Sequence, residues 1–297
     1  MLWFYVAIVA YFFSALASLL DKYILSGPIS DPRVYSFYVG FLEILILLVL
    51  PFVGFYFPSL PMILLSLASG AVFIFSLYIF LKAVKDFEIS RIVPSVGAMT
   101  PLFVFLLNYA TGNVLWGKQL LAFLLVISGS FLINWSKGKI NFSCLRRAAV
   151  AAFLFAAAFL MAKYVYLSVS FWTGFIWMRA GGFLMALTFL FFREVRGGVF
   201  GQKLEWQPKT FSVFLFAQGF GASSAVLQNW AIALVPLVFL PLVNALEGVK
   251  YAFLLIFTVF LSLKHPQILK EEISGRGIFL KVMSVLLIAA GLVFLAS

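Results

Sequence analysis

The chain has 297 residues, 64% hydrophobic and 10% charged, with a mean hydropathy of +1.12; soluble domains run near 25% charged, so a water-soluble fold is excluded. Its formal net charge is +11, but the basic residues flank apolar stretches instead of forming one run, which favours lipid headgroups over nucleic acid as the partner. Cys144 is alone, so no internal disulfide is possible and the redox compartment cannot be inferred.

Apolar stretches long enough to cross a ~30 Å hydrocarbon core are predicted at 2–22, 34–55, 60–82, 90–110, 117–135, 147–167, 171–192, 211–234, 236–262 and 277–296. The first, LWFYVAIVAYFFSALASLL, lacks a basic start and exceeds the usual apolar core of a signal peptide, so it reads as a span. Ser26-Gly27-Pro28, Asp31-Pro32, the run Pro58 to Pro61, Thr111-Gly112-Asn113, Arg196-Gly197-Gly198 and Ser274-Gly275 punctuate the breaks. Asn141-Phe142-Ser143 matches the glycosylation sequon, a pattern short enough to recur by chance. Backbone groups at membrane depth must be satisfied internally, so the expected fold is an all-α integral membrane protein of ten transmembrane helices.

Of the 21 Lys and Arg residues, 17 fall in the odd-numbered connections: Lys22 and Arg33; Lys82, Lys85 and Arg91; Lys137, Lys139, Arg146 and Arg147; Arg193, Arg196, Lys203 and Lys209; Lys264, Lys270, Arg276 and Lys281. The opposite side has only Lys118, and Lys163, Arg179 and Lys250 lie inside spans. By the positive-inside rule the odd connections are cytoplasmic and both termini extracytoplasmic, in a multi-pass protein of the plasma (inner) membrane.

The chain also matches itself. PSVGAMTPLFVFLL, from Pro94, aligns without a gap to PLVNALEGVKYAFL, from Pro241; SLLDKYIL resembles FLMAKYVY; VISGSFLI pairs with IAAGLVFL through Gly129 and Gly291. Three matches in one order imply two five-helix repeats, 1–138 and 139–297. Five is odd, so the second enters the membrane inverted, and the charge pattern agrees. Inverted repeats are a transporter architecture, with the site near mid-bilayer between the halves; an inert duplicated scaffold is the alternative.

The stretches LYIFLKAVKDFEISRIVPSVGAMTPLFVFLL, WGKQLLAFLLVISGSFLI, NWAIALVPLVFLPLVNAL and LLIAAGLVFL resemble the EamA-type drug/metabolite transporters. The resemblance spans essentially the whole chain and rests on patterned Ala, Pro and Gly. It implies ten helices in two inverted repeats around a central cavity, and export or exchange of amino acids, metabolites, sugars, nucleotide-sugars or drugs. Two departures stand out. Where the family commonly has Gly-Glu before its fifth helix, this chain has Gly117-Lys118-Gln119, so no role for that acid carries over. The family is also commonly drawn with cytoplasmic termini, the reverse of the charge pattern here.

The candidate cavity residues are Glu43, Thr100, Arg179, Gln228, Asn244, Glu247 and Lys250. Each deep charge costs roughly 2.5–3.5 kcal/mol to insert, so these groups are expected to face protein or water. Asn244, Glu247 and Lys250 share one helical face by their i, i+3, i+6 spacing. Glu247 reads as a cation or proton site and Lys250 as an anion contact, or the two form a self-neutralising pair. Glu43 and Arg179 either pair across the repeats or contact substrate, and a guanidinium hints at an anionic or zwitterionic cargo. Gln228, its neighbour Asn229, and Thr100 offer neutral hydrogen bonds, to cargo or between helices. Lys22 and Lys163, near span ends, are expected to snorkel, Tyr23 and Tyr164 to act as interfacial anchors. Pro94, Pro101, Pro236 and Pro241 are expected to kink or interrupt the fourth and ninth spans.

The function expected is a secondary transporter of a small organic solute, with proton coupling possible and no cofactor. A lipid exporter or scramblase of the same fold is the alternative. An embedded enzyme is less favoured: His265 is the single histidine, and neither a His-Glu-x-x-His pair nor a Cys/His metal cluster occurs; the lack of a Walker A loop argues against ATP-driven transport within the chain.

Overall fold

The computed structural model describes residues 2–25, 31–87, 89–133, 142–197, 199, 208–264 and 275–296. The Ser26-Gly27-Pro28 break, the Asn141 sequon, Lys137, Lys139, Lys203, Lys270 and His265 lie outside these residues, as do the side chains of Lys22, Tyr23 and Arg91.

No strand occurs among the described residues; the elements are helices throughout. In order they are α1 (Leu2–Leu25), α2 (Pro32–Leu42), which tightens into a 3-10 segment (Glu43–Phe52), α3 (Leu60–Asp86), α4 (Ile89–Ala110), α5 (Gly117–Ile133), α6 (Phe142–Ser168), α7 (Phe171–Thr188), α8 (Arg193–Arg196), α9 (Pro208–Leu234), α10 (Leu240–Ala245), α11 (Glu247–Lys264) and α12 (Gly275–Ala296). Among the described residues, six stretches are long and apolar enough to cross a membrane: Leu2–Leu20, Pro32–Phe52, Leu60–Asp86, Phe142–Ser168, Phe171–Phe191 and Leu237–Leu254. The chain is a helical membrane protein.

The distribution of side chains fits that solvent. Phe52, Phe57, Trp116, Phe142 and Phe191 are 74–86% exposed, while Ser69, Thr100, Asn108, Asn229 and Asn244 are buried. A water-soluble protein would not leave an apolar surface this extensive, and here the polar groups gather where helices can satisfy them.

Local chemistry sets the ends. Asp31 caps α2 by accepting from the Arg33 N–H at 2.8 Å, and Pro32 supplies a pre-set φ at the first helical position. Arg33 then reaches Glu194 of α8 at 3.1 Å. Glu194's own backbone N–H and this guanidinium hold its carboxyl below the usual range, although the pair is too wet to stabilise the fold much.

The tightest packing follows small residues. A Cβ added at Gly70 of α3 would lie 1.7 Å from the Met178 carbonyl oxygen, and one at Gly181 of α7 only 2.1 Å from that of Leu67. Glycine is thus required for α3 and α7 to cross this closely. Other principal contacts are α1 with α9 and α11, α3 and α4 with α6, α2 with α7, α5 with α12, and α4 with α10.

The ninth predicted span is interrupted. A 3-10 turn (Leu237–Phe239) follows Pro236, α10 begins at Leu240, and the ladder shifts at Leu246, where the Val249 N–H turns back to the Leu246 carbonyl at 2.9 Å. The expected interruption of the fourth span does not occur: α4 runs unbroken through Pro94 and Pro101. Beside Pro101, Thr100 donates its hydroxyl to the Val96 carbonyl at 2.8 Å, the back-bond to the preceding turn that Thr makes inside helices.

Lys163 corrects a second expectation. It does not snorkel: it is 2% exposed, and Nζ donates at 3.0 Å to the carbonyls of both Ile232 and Ala233. It closes the C-terminal end of α9, whose last carbonyls have no partner within the helix. Lys163→Met is expected to lower stability by about 1–3 kcal/mol, the cost of leaving buried acceptors unpaired. Thermal unfolding in detergent would read this, with exposed Lys118→Met as the unaffected control; equal midpoints would refute the capping role.

Candidate functional site

The site is assembled from five helices. Glu43 stands where α2 tightens into the 3-10 segment, and a mid-helix change of this kind commonly marks a hinge or strain. It faces Arg179, near the middle of α7. Oε1 accepts from Arg179 Nη1 at 2.5 Å, and the two side chains are 8% and 12% exposed. Gly182 makes the approach possible: a Cβ there would fall 1.7 Å from Glu43 Oε2. The guanidinium also lies over the Phe175 and Phe73 rings, at 4.9 and 5.6 Å from their centroids, a favourable cation–π placement. The contact uses one edge of each group. Glu43 Oε2 and Arg179 Nε are both buried without a hydrogen-bond partner.

Arg179 also lines a recess. Ser69, Gly70 and Phe73 of α3, Phe159 of α6, Met178 and Arg179 of α7, and Gln228 and Asn229 of α9 form its walls. The recess is narrow, with room for about one or two waters. Its far wall is organised by hydrogen bonds. Asn229 Oδ1 accepts from Tyr166 at 3.0 Å, and Gln228 Nε2 donates to the Tyr11 hydroxyl at 3.2 Å. Tyr11 in turn donates to the Val243 carbonyl at 2.9 Å, joining the recess to the broken helix.

A second polar group surrounds that break. Glu247 opens α11, where the helix dipole favours an acidic side chain, and lies within electrostatic reach of Lys250, Tyr11 and Tyr251. No hydrogen bond or ion pair joins Glu247 to Lys250 among the described residues, although their i, i+3 spacing permits one. Tyr251 puts its hydroxyl against Gly97, 2.0 Å from where a Cβ would be.

Of the seven candidate residues, Arg179 and Gln228 line the recess, and Glu43 is tied to it through Arg179. Glu247 and Lys250 form the neighbouring group. Thr100 and Asn244 stand apart: they are 2% and 1% exposed, and each bonds a carbonyl four residues back in its own helix, Val96 and Leu240. Tyr11 and Tyr166 were missed as polar bridges, because aromatic residues in apolar stretches read first as anchors or packing. No group of three or more His, Cys, Asp or Glu suited to a metal occurs among the described residues.

No family model matches the chain, and no curated protein matches it either. A solved structure known only as "Crystal structure of protein" is similar, with a TM-score of 0.63 over 99% of this chain and 94% of its own, at 14% identity. That likeness shows a shared fold and nothing about activity.

Proposed function

We propose that the protein is a secondary transporter of a small organic solute, alternating access between two inverted repeats of five spans each. The observation that carries this reading is the recess itself. Its walls come from α3 on one side and α6, α7 and α9 on the other, and a buried guanidinium stands in it. Ionisable groups are costly to place inside a membrane, and one that lines a cavity is a functional-site candidate by default.

Reciprocal packing supports the repeat. Gly129 of α5 meets Ser284 and Ile288 of α12, and Gly291 of α12 meets Ala122 and Val126 of α5. Each contact becomes the other when Gly129 and Gly291, paired by sequence, are exchanged, as at a two-fold interface. The same exchange turns the α1–α9 contact into α6–α3, and α4–α6 into α11–α1. In this reading the chain is a relative of the EamA-type transporters, has ten spans, and keeps its basic odd-numbered connections in the cytoplasm. A reporter fused after Ser297 then appears outside.

Reconstituted protein is expected to move solutes of this class in proteoliposome flux assays. Gln228→Ala should reduce that flux about tenfold, the equivalent of one hydrogen bond to cargo, with the unfolding midpoint falling by no more than the lost Tyr11 hydrogen bond accounts for, about 1 kcal/mol. Unchanged flux together with a lowered midpoint would make Gln228 a packing residue and defeat the site assignment.

A further inference from the structure

We propose that the Nε–Nη2 edge of Arg179 is a carboxylate-binding site, and that the cargo is a small carboxylate of only a few non-hydrogen atoms. The inference rests on the transport reading only for what the bound molecule does next. A guanidinium presents two edges, each able to grip a carboxylate with paired N–H donors. Glu43 engages one of them through Nη1. On the other, Nε is buried and has no hydrogen-bond partner, a condition folded proteins rarely leave unanswered. Glu43 therefore positions Arg179, and the remaining edge recognises the ligand.

The recess, with room for about one or two waters, keeps the rest of the molecule small. Phe73, Phe159 and Met178 are apolar, and Gln228 and Asn229 are neutral, so the lining provides one full positive charge. Glu43 already balances it. A single added carboxylate can share the guanidinium, whereas a phosphate dianion would crowd two further charges beside Glu43 in a low-dielectric site. The carboxylate can belong to a simple monoanion or to a zwitterion, whose ammonium would meet the side-chain oxygens of Gln228 and Asn229.

Four probes share a single saturated carbon and differ in charge: acetate, glycine, methylamine and methyl phosphate. Binding is read as a thermal midpoint shift of the full chain in nanodiscs, and transport as flux into proteoliposomes. One or both carboxylates should raise the midpoint, and which one does so identifies the source; the amine and the phosphate should not. Arg179→Lys retains the charge opposite Glu43 but loses the planar edge and its stacking on Phe73 and Phe175, so the apo midpoint should fall and, in the protein that remains folded, carboxylate affinity should drop at least about tenfold. Should that variant instead unfold, Arg179 is left native and Phe159→Leu, which alters an apolar wall and leaves both rings stacked on the guanidinium in place, must weaken carboxylate binding. Stabilisation by the amine or the phosphate alone, wild-type carboxylate affinity in Arg179→Lys, or no binding of any probe each overturns the site. Carboxylate binding without flux leaves the site standing and defeats the transport reading; flux of the amine without carboxylate binding does the reverse.

Discussion

Glu43→Gln and Arg179→Gln are each expected to lower the stability of the folded protein by about 3–5 kcal/mol, and the double substitution by clearly less than their sum. Both side chains lie about nine-tenths out of solvent. Removing one therefore strands an uncompensated charge, and that penalty exceeds what the pair itself contributes. Replacing both removes the stranded charge and leaves two amides able to bond one another. The surroundings sharpen the asymmetry. Phe73 and Phe175 flank the guanidinium, and rings replace little of the hydration that a charge loses on burial. Gly182 contacts Glu43 Oε2 with no room for a further atom, so water has no easy route to an orphaned partner. The measurement is a double-mutant cycle of unfolding midpoints in one detergent. Additive losses would mean that the two groups do not interact, and the positioning of Arg179 would need another cause.

The helical membrane class was legible in the sequence because membrane insertion constrains it so strongly. Where a predicted span and its helix can be compared they differ mostly at the ends: 60–82 became Leu60–Asp86. Helices in this solvent declare themselves by run length alone. The internal arrangement of a span was less legible. Pro236 and Pro241 precede a real interruption whereas Pro94 and Pro101 do not, so proline in an apolar run does not by itself decide whether the helix breaks. The site was legible in its charges, since Glu43 and Arg179 are conspicuous in apolar stretches and do meet. The hydrogen-bonded polar residues misled. Thr100 and Asn244 carry the right groups at the right depth, but bond their own backbones. Lys163 looked like an interfacial residue because its distance from the helix end is plain in sequence, while the carbonyls of Ile232 and Ala233 that hold it inside are 69 and 70 positions away. Single-sequence patterning cannot register such a long-range partner.

Gly70→Ala and Gly181→Ala are expected to be among the most damaging single substitutions in the chain, although each adds one methyl group. Extra carbon in a well-packed interior commonly costs about 1–3 kcal/mol, because a neighbouring side chain can adjust. Here the neighbours cannot. The new methyls would sit 1.7 Å from the Met178 carbonyl oxygen and 2.1 Å from that of Leu67, so α3 and α7 must separate as bodies. The loss should reach or exceed the top of that range. Separation also moves Arg179, one residue from Met178, so the Glu43 contact weakens together with the helix crossing. Gly219→Ala and Gly221→Ala in α9 provide the opposite case. Nothing lies within 4 Å of either added Cβ, and alanine exceeds glycine in helix propensity by about 1 kcal/mol, so these variants should match or exceed the wild-type midpoint. Steric contact and intrinsic propensity thus predict opposite signs for the same chemical change in one protein. If all four variants shifted the midpoint alike, backbone entropy would be governing these positions, and the close crossing of α3 and α7 could not be what holds Arg179 against Glu43.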